Sequence, residues 1–527
     1  MYNKTLSGYN TIAEEKQSRF ILNSYSRFLR KSLSQIFFIL NIKKFKKMKK
    51  SIFTLSFLAL LGLGVFTSCS DGDDDTTTGT TTTTTGTTTT STSQTVSTTA
   101  LTDATSDVLS SHSFGNTVTI ALSGTTATVT NNVSGVTVTN GSGIINITST
   151  ASGVEYVLSG SYSGSVNIVS SQIAKVTLNG ATITTGSGVS LNFAAPKVFV
   201  NTASGTTNTL SSTPTSSVHG TIYNSGKLVF VGSGTLNVTS SAYNGIYCLV
   251  GITASETTFN VTSALDGIKT IDNPITLNSG TYTIKTVARG IRTISSSSDY
   301  ATSSSAHNII VNGGTYNITA TGDDGEGFKA YATLTINGGT INVSAYDDAF
   351  SANVDIAITG GTIYGSSTAS DAFDSNGTIH VSGGTAIGIA VNTANVAFDC
   401  DQNDFVITGG TLIGLGSDNV STPTSASTQP SVLLGKSSSS YRFGSTLLNI
   451  QSTTGSSQVL TYQIPQSYTT LFVSSPNFTT GTSYTIYTGG STTGTATNGL
   501  YSGGTYTKDT SKGTFTTATA APYLTSL

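Results

Sequence analysis

Tryptophan is absent from the 527 residues, charged residues make up 9%, and there are only 3 cysteines and 4 histidines. Each scarcity excludes something. So few thiols cannot form a disulfide framework. Cys248 and Cys400 fall on strand patterns, where cysteine behaves as a small buried hydrophobe. The histidines, His112, His219, His307 and His380, are widely separated in sequence, which disfavours a transition-metal centre. Low charge and the missing tryptophan depart from an average globular enzyme. After residue 70 no helical periodicity is found.

What is abundant is Gly, with 56 residues, together with Thr, Ser, Asn, Val and Ile from about residue 115 onward. β-branched residues bounded by Gly and Asn are the composition of many short strands. The formal net charge of −2 hides an asymmetry: residues 1–68 hold 12 of the 24 Lys+Arg but only 2 of the 26 Asp+Glu. Residues 69–527 are therefore acidic, which excludes a basic nucleic-acid footprint. Between Lys329 and Lys436 there is no Lys or Arg, yet nine Asp fall there. Something must compensate that charge.

The run MKKSIFTLSFLALLGLGVFTSC, residues 48–69, has a basic start, an apolar stretch and small residues before a Cys. That is the pattern of a lipoprotein signal peptide over 48–68, with Cys69 as the lipidation site. The apolar stretch Ile52 to Val65 is too short for a bilayer, which takes roughly 20 residues. Met48 then reads as the initiator and residues 1–47 as an over-extended start, or alternatively as a genuine basic extension. Residues 69–100 form an acidic, then Thr-dominated tract too poor in large apolar groups to fold, and so a solvated linker. Its SDGDDD cluster resembles surface-export signals of some Gram-negative lipoproteins, implying the extracellular face of the outer membrane; the alternative is a polar spacer.

Between about 246 and 410 the chain repeats itself, and from Ile144 to Val238 the same alternation runs less regularly. A GGT-like column places its second Gly at 280, 314, 339, 361, 384 and 410, and a second column runs Ile246, Ile268, Ile291, Phe328, Phe350, Phe373, Phe398 in step with it. Both recur about every 23 residues, apart from a larger step explained by the polar insertion at 294–306. Short strands with Gly/Asn corners at that period predict a β-solenoid, each coil burying its apolar face on the next. The expected architecture is all-β: a right-handed parallel β-helix domain over 101–430, with about 12 coils running from about Val136 to Asn419 and the Phe column stacked inside, and a β-rich C-terminal cap over 431–527.

Alternation along a strand turns the residue after each inward Ile or Phe outward. That position reads Tyr247, Lys269, Arg292, Lys329, Ser351, Asp374, Asp399; the position two before the column reads Asn244, Asp266, Arg289, Glu326, Asp348, Asp371, Val396. A corner at the intervening Gly or Ala must re-aim the second set. Stacked carboxylates repel, and Ca²⁺ relieves this with oxygen ligands. Candidate groups are Asp323, Asp324 and Glu326; Asp347 and Asp348 with Asp371 and Asp374; and Asp399, Asp401 and Asp404. Asp is also common corner chemistry, so these residues can equally be solvated turns.

Taken together, Leu265-Asp-Gly-Ile-Lys269, Gly322-Asp-Asp-Gly-Glu-Gly-Phe-Lys329, the repeated GGT and Tyr487-Thr-Gly-Gly resemble a family of bacterial extracellular carbohydrate-binding β-helix proteins. The resemblance covers roughly residues 130–527. It implies a pectate-lyase-like fold, Ca²⁺ binding and association with cellulose and polygalacturonate, and it makes Asp266, Asp323, Asp324, Asp347, Asp348, Asp371 and Asp374 metal-ligand candidates. Asn244 and Arg289 stand where the motif would have Asp, so their coils should lack such a metal. The leading expectation is a monomeric surface lipoprotein, held to the membrane by lipid alone, that captures a polysaccharide. Lys269, Arg292 and Lys329 would contact uronate carboxylates, or else pair with neighbouring acids. Two alternatives stand: a Ca²⁺-dependent polysaccharide lyase using Arg289, Arg292 or Lys329 as base, and a passive adhesin or stalk.

Overall fold

The computed structural model describes residues 107–517, apart from 217–218, 297–304, 392–394, 403, 418–419 and 436–443, together with 523–525. The start at 1–47, the signal peptide at 48–68, Cys69 and the linker at 69–100 lie outside the described residues. Among these, β-strands are joined by turns and two single-turn 3₁₀ segments, with no α-helix.

Each coil carries three strands. One runs Ile268–Ile271, Ile275–Leu277 and Thr281–Thr286, and the next Ile291–Ile294, Ile309–Val311 and Thr315–Ala320. Equivalent strands pair in parallel, Ile268 opposite Ile291 and Tyr282 opposite Tyr316. The first strands of successive coils make one 12-stranded sheet, while the second and third strands belong to a 23-stranded sheet. The result is a β-solenoid of about 11 coils with about 24 residues per turn, against the expected 12. Val136–Gly141, where the solenoid was expected to begin, instead folds back antiparallel on Ile144–Ser149. It closes that sheet and adds no turn.

Parallel in-register pairing puts like residues above like at ~4.8 Å, and flat rings fit that spacing. Phe328, Phe350, Phe373 and Phe398 are fully buried and stacked, with centroids 5.6, 4.6 and 5.0 Å apart. The inward column reads as expected. A second pile, Phe259, Tyr282 and Tyr316, stacks at 5.0 and 4.5 Å. The step of 37 residues from Ile291 to Phe328 is taken up between Ile291–Ile294 and Ile309–Val311.

The GGT corner shows why its second position is Gly. Gly314 and Gly339 have φ of +101° and +99°, and a Cβ on either would sit 2.8 Å from the carbonyl oxygen of the Gly one coil before. The closeness lets the Thr315 and Thr340 amides donate to the Gly280 and Gly314 carbonyls at 2.9 Å.

Both ends of the rod are closed. At the N-terminal end, Asn116–Gly124 pairs antiparallel with Thr126–Thr130 and parallel with Val154–Ser163. At the other end, Thr470–Ser474 pairs antiparallel with the last coil and sends Phe472 into the core against Phe398 and Phe405, both at 5.8 Å. Beyond it, a six-stranded sheet shares a second apolar core with Ile387, Ile389, Ile413 and Leu415 on the outside of the final coils. Cys248 and Cys400 are free and buried; burial pushes the Cys248 thiol up to about 12.

Candidate functional site

The row following the inward column is continuous across coils: Tyr223, Tyr247, Lys269, Arg292, Lys329, Ser351, Asp374 and Asp399 oppose one another in turn. It lies outside the hydrophobic core but is recessed: Tyr247, Lys269 and Ser351 are buried, and Arg292, Lys329, Asp374 and Asp399 half-buried. Its character changes along the rod. The first coils are aromatic, with His219 stacked on Tyr243 and Tyr247 at 5.2 and 5.8 Å and Lys269 placed 5.8 Å over the Tyr247 ring. Cations follow, then acids.

In the cationic stretch each carboxylate serves two cations. Asp266, fully buried, lies 3.8 Å from Lys269 and 3.4 Å from Arg292. Glu326 lies 2.9 Å from both Arg289 and Lys329. Burial alone would raise the Glu326 carboxyl, but Lys329 and Arg289 hold it below the usual range. Burial alone would lower the Lys329 ammonium, but Glu326, with Asp348 further along, raises it. Lys329 also donates to the Ser351 hydroxyl at 2.8 Å.

Beyond Lys329 the balance reverses. Two groups each bring three carboxylate oxygens within 4.8 Å of one another: Glu326, Asp347 and Asp348, and then Asp371, Asp374 and Asp399. The coils regroup the candidates: Asp347 and Asp348 join Glu326 of the coil before, and Asp371 and Asp374 join Asp399 of the coil after. Asp323, Asp401 and Asp404, respectively exposed, exposed and half-buried, and half-buried Asp324 belong to neither group, and Asp266 is taken up with its cations. Burial, reinforced by Asp374, Asp347 and Glu326, raises the Asp348 carboxyl well above the usual range. Burial and Asp371 push Asp374 up to about 7. Hard oxygen donors crowded until they retain protons fit a divalent oxygen-seeking cation such as Ca²⁺.

One role escapes sequence reasoning. The side chain two before the column accepts the backbone N–H of its equivalent in the next coil: Asn244 from Asp266, Asp266 from Arg289, and Asp348 from Asp371, each at 3.1 Å, and Asp371 from Val396 at 2.6 Å. In Asp266 one oxygen, Oδ1, thus anchors the turn while Oδ2 faces Lys269 and Arg292. The mixture of Asn and Asp at this position was the available signal, since both types can accept such a bond.

A family model described as a carbohydrate-binding domain-containing protein matches residues 140–419. The chain belongs to that family. The match spans the whole charged row of this carbohydrate-binding domain, from Tyr223 to Asp399. A solved structure, the polysaccharide lyase-like protein from C. thermocellum in its gadolinium derivative, is similar at 18% identity and a TM-score of 0.37, covering 50% of this chain and 96% of that one. No curated protein matches the chain.

Proposed function

We propose that the chain is a lipid-anchored surface protein that binds an acidic polysaccharide along the charged row of its β-solenoid, with Ca²⁺ held by the carboxylate groups beyond Lys329. The observation that carries this reading is the juxtaposition, in register on one face, of Lys269, Arg292 and Lys329 with two groups of three carboxylates. A uronate carboxylate meets guanidinium and ammonium donors directly on the first stretch. On the second, Glu326, Asp347, Asp348, Asp371, Asp374 and Asp399 would hold the metal, which supplies positive charge toward the ligand when bound. Cys69 is the proposed attachment point, and the outer face of the outer membrane the proposed location.

The alternative of a lyase asks Arg289, Arg292 or Lys329 to take a proton. Each is paired with a buried carboxylate, and the Arg289 and Lys329 shifts are upward, which favours the protonated, ligand-binding state over a base. The test is retention of the full chain on immobilised polygalacturonate and on cellulose, with and without chelator. Chelator-sensitive retention on polygalacturonate supports the proposal, and equal retention with and without chelator removes the metal from it.

A further inference from the structure

Alongside the charged row runs a second column, at the corner entering the same strands. The amides of Thr321, Tyr346, Thr368 and Val391 donate to the carbonyls of Thr286, Ala320, Ala345 and Ser367 at 3.1, 2.9, 3.1 and 2.8 Å. These bonds set Val287, Thr321, Tyr346, Thr368 and Val391 one above another, one residue per coil. Val287, Tyr346 and Val391 are 50%, 40% and 45% exposed. Large apolar side chains exposed singly need no explanation, but three in one column on alternate coils form a ridge. Tyr346 is the most exposed Phe or Tyr among the described residues. It immediately precedes Asp347, a member of the first carboxylate group.

We infer that Tyr346 is a specificity-determining contact of the glycan site, stacking against the apolar face of a pyranose ring, with Val287 and Val391 supporting the same polymer to either side. The inference rests on the charged row being the glycan site. A sugar ring has an apolar face of C–H groups and an equatorial rim of polar groups. A site that holds the rim with charges therefore needs an apolar surface beside it. Tyr346 supplies that surface one residue from the carboxylates, with a ring whose rigidity keeps the entropy of ordering small. The ridge sets the class of ligand, an extended pyranose polymer, and disfavours free carboxylates or phosphates that have no ring to stack.

The chain contains no tryptophan, so Tyr346→Trp in the full chain creates a single indole reporter at this position. Titration with oligogalacturonate in the presence of Ca²⁺ is expected to shift and quench its emission, and acetate, a carboxylate with no ring to stack, to leave it unchanged. Tyr346→Phe should keep the affinity, and Tyr346→Ala should lower it roughly 3- to 10-fold with the melting temperature unaltered, because the ring is exposed. Unchanged affinity in Tyr346→Ala, or a silent indole while the oligosaccharide still binds by calorimetry, overturns the inference. If the unaltered chain binds no saccharide by calorimetry, the reading of the charged row fails first, and the inference fails with it.

Discussion

Phe350 lies flat on Phe373, with ring centroids 4.6 Å apart and planes 10° from parallel, deep in the solenoid. Phe350 is supported on both sides, by Phe328 and Phe373, so removing it leaves a cavity that its neighbours cannot fill without moving a coil. Phe350→Ala is expected to cost ~3–5 kcal/mol, read as a lower denaturant midpoint. Phe350→Asp should open the adjacent coils, because an unpaired buried charge costs several kcal/mol or is neutralised by a shifted pKa; hydrogen exchange should report the loss around 328–375 first.

The corner glycines predict a backbone effect with no side chain lost. Gly339 combines φ of +99° with a Cβ position 2.8 Å from the Gly314 carbonyl oxygen. Gly339→Ala should therefore destabilise by at least about 1–3 kcal/mol. Gly338→Ala is the informative comparison, since Gly338 has no positive φ and its Cβ would meet the Asn312 carbonyl oxygen at 2.9 Å. The milder result at 338 would assign the effect to the left-handed conformation; equal results would assign it to crowding.

The period of about 23 was legible because the fold repeats the same packing problem in every coil: an inward Phe or Ile must recur wherever a strand re-enters the core. The number of coils was less legible, since Val136–Gly141 carries the same alternation as a coil strand and only its antiparallel pairing on Ile144–Ser149 separates the two. For the site, the two columns identify the acids, but the sequence pattern joins Asp347 and Asp348 to Asp371 and Asp374, whereas the solenoid joins each pair to a different coil. Asp347 and Asp348 meet Glu326 from the coil before, a contact set by stacking that no local pattern encodes. Tyr346 is not legible in the sequence for the opposite reason: a single Tyr at a turn has no periodic partner of its own kind.

The acid groups give the metal-free rod a pH dependence of definite sign. Asp374 is pushed up to about 7 and Asp348 raised well above its ordinary value, so the folded state binds more protons than the unfolded state through this range. The stability from Asp374 is fully present below about pH 4, the unfolded carboxyl range, and is lost as pH rises through about 7; Asp348 acts in the same direction. In chelator, the melting temperature should fall between pH 5 and pH 8. Excess Ca²⁺ should flatten that fall; a melting temperature that rises over the same interval in chelator would contradict the assignment.

The proposed anchor makes a separate and simple prediction. If Cys69 is lipidated, membrane-extracted protein should begin at Cys69 with the mass of attached acyl chains, and Cys69→Ser should release it from the membrane without altering the melting temperature of the solenoid. Mass spectrometry that finds residues before Cys69 retained removes the anchor from the proposal and leaves glycan binding untouched.

Asp348 and Asp371 provide the sharpest test of the proposed metal, because an amide can replace the carboxylate in the turn but not its charge. Through Oδ1 each accepts the backbone N–H of the next coil, from Asp371 and Val396; an Asn oxygen can accept the same bond. Asp348→Asn with Asp371→Asn should therefore keep the turn while removing two charges. In Ca²⁺ the double variant should melt below the parent, since a cation bound only by the folded state stabilises it by mass action. In chelator above pH 7 the order should reverse, because the parent then carries the repulsion and the variant does not. Retention on polygalacturonate in Ca²⁺ should fall to the level seen with chelator, and retention on a neutral glucan should change little. A variant less stable than its parent in both conditions would mean that these carboxylates serve only the turn, and the charge beyond Lys329 would then need another counterion.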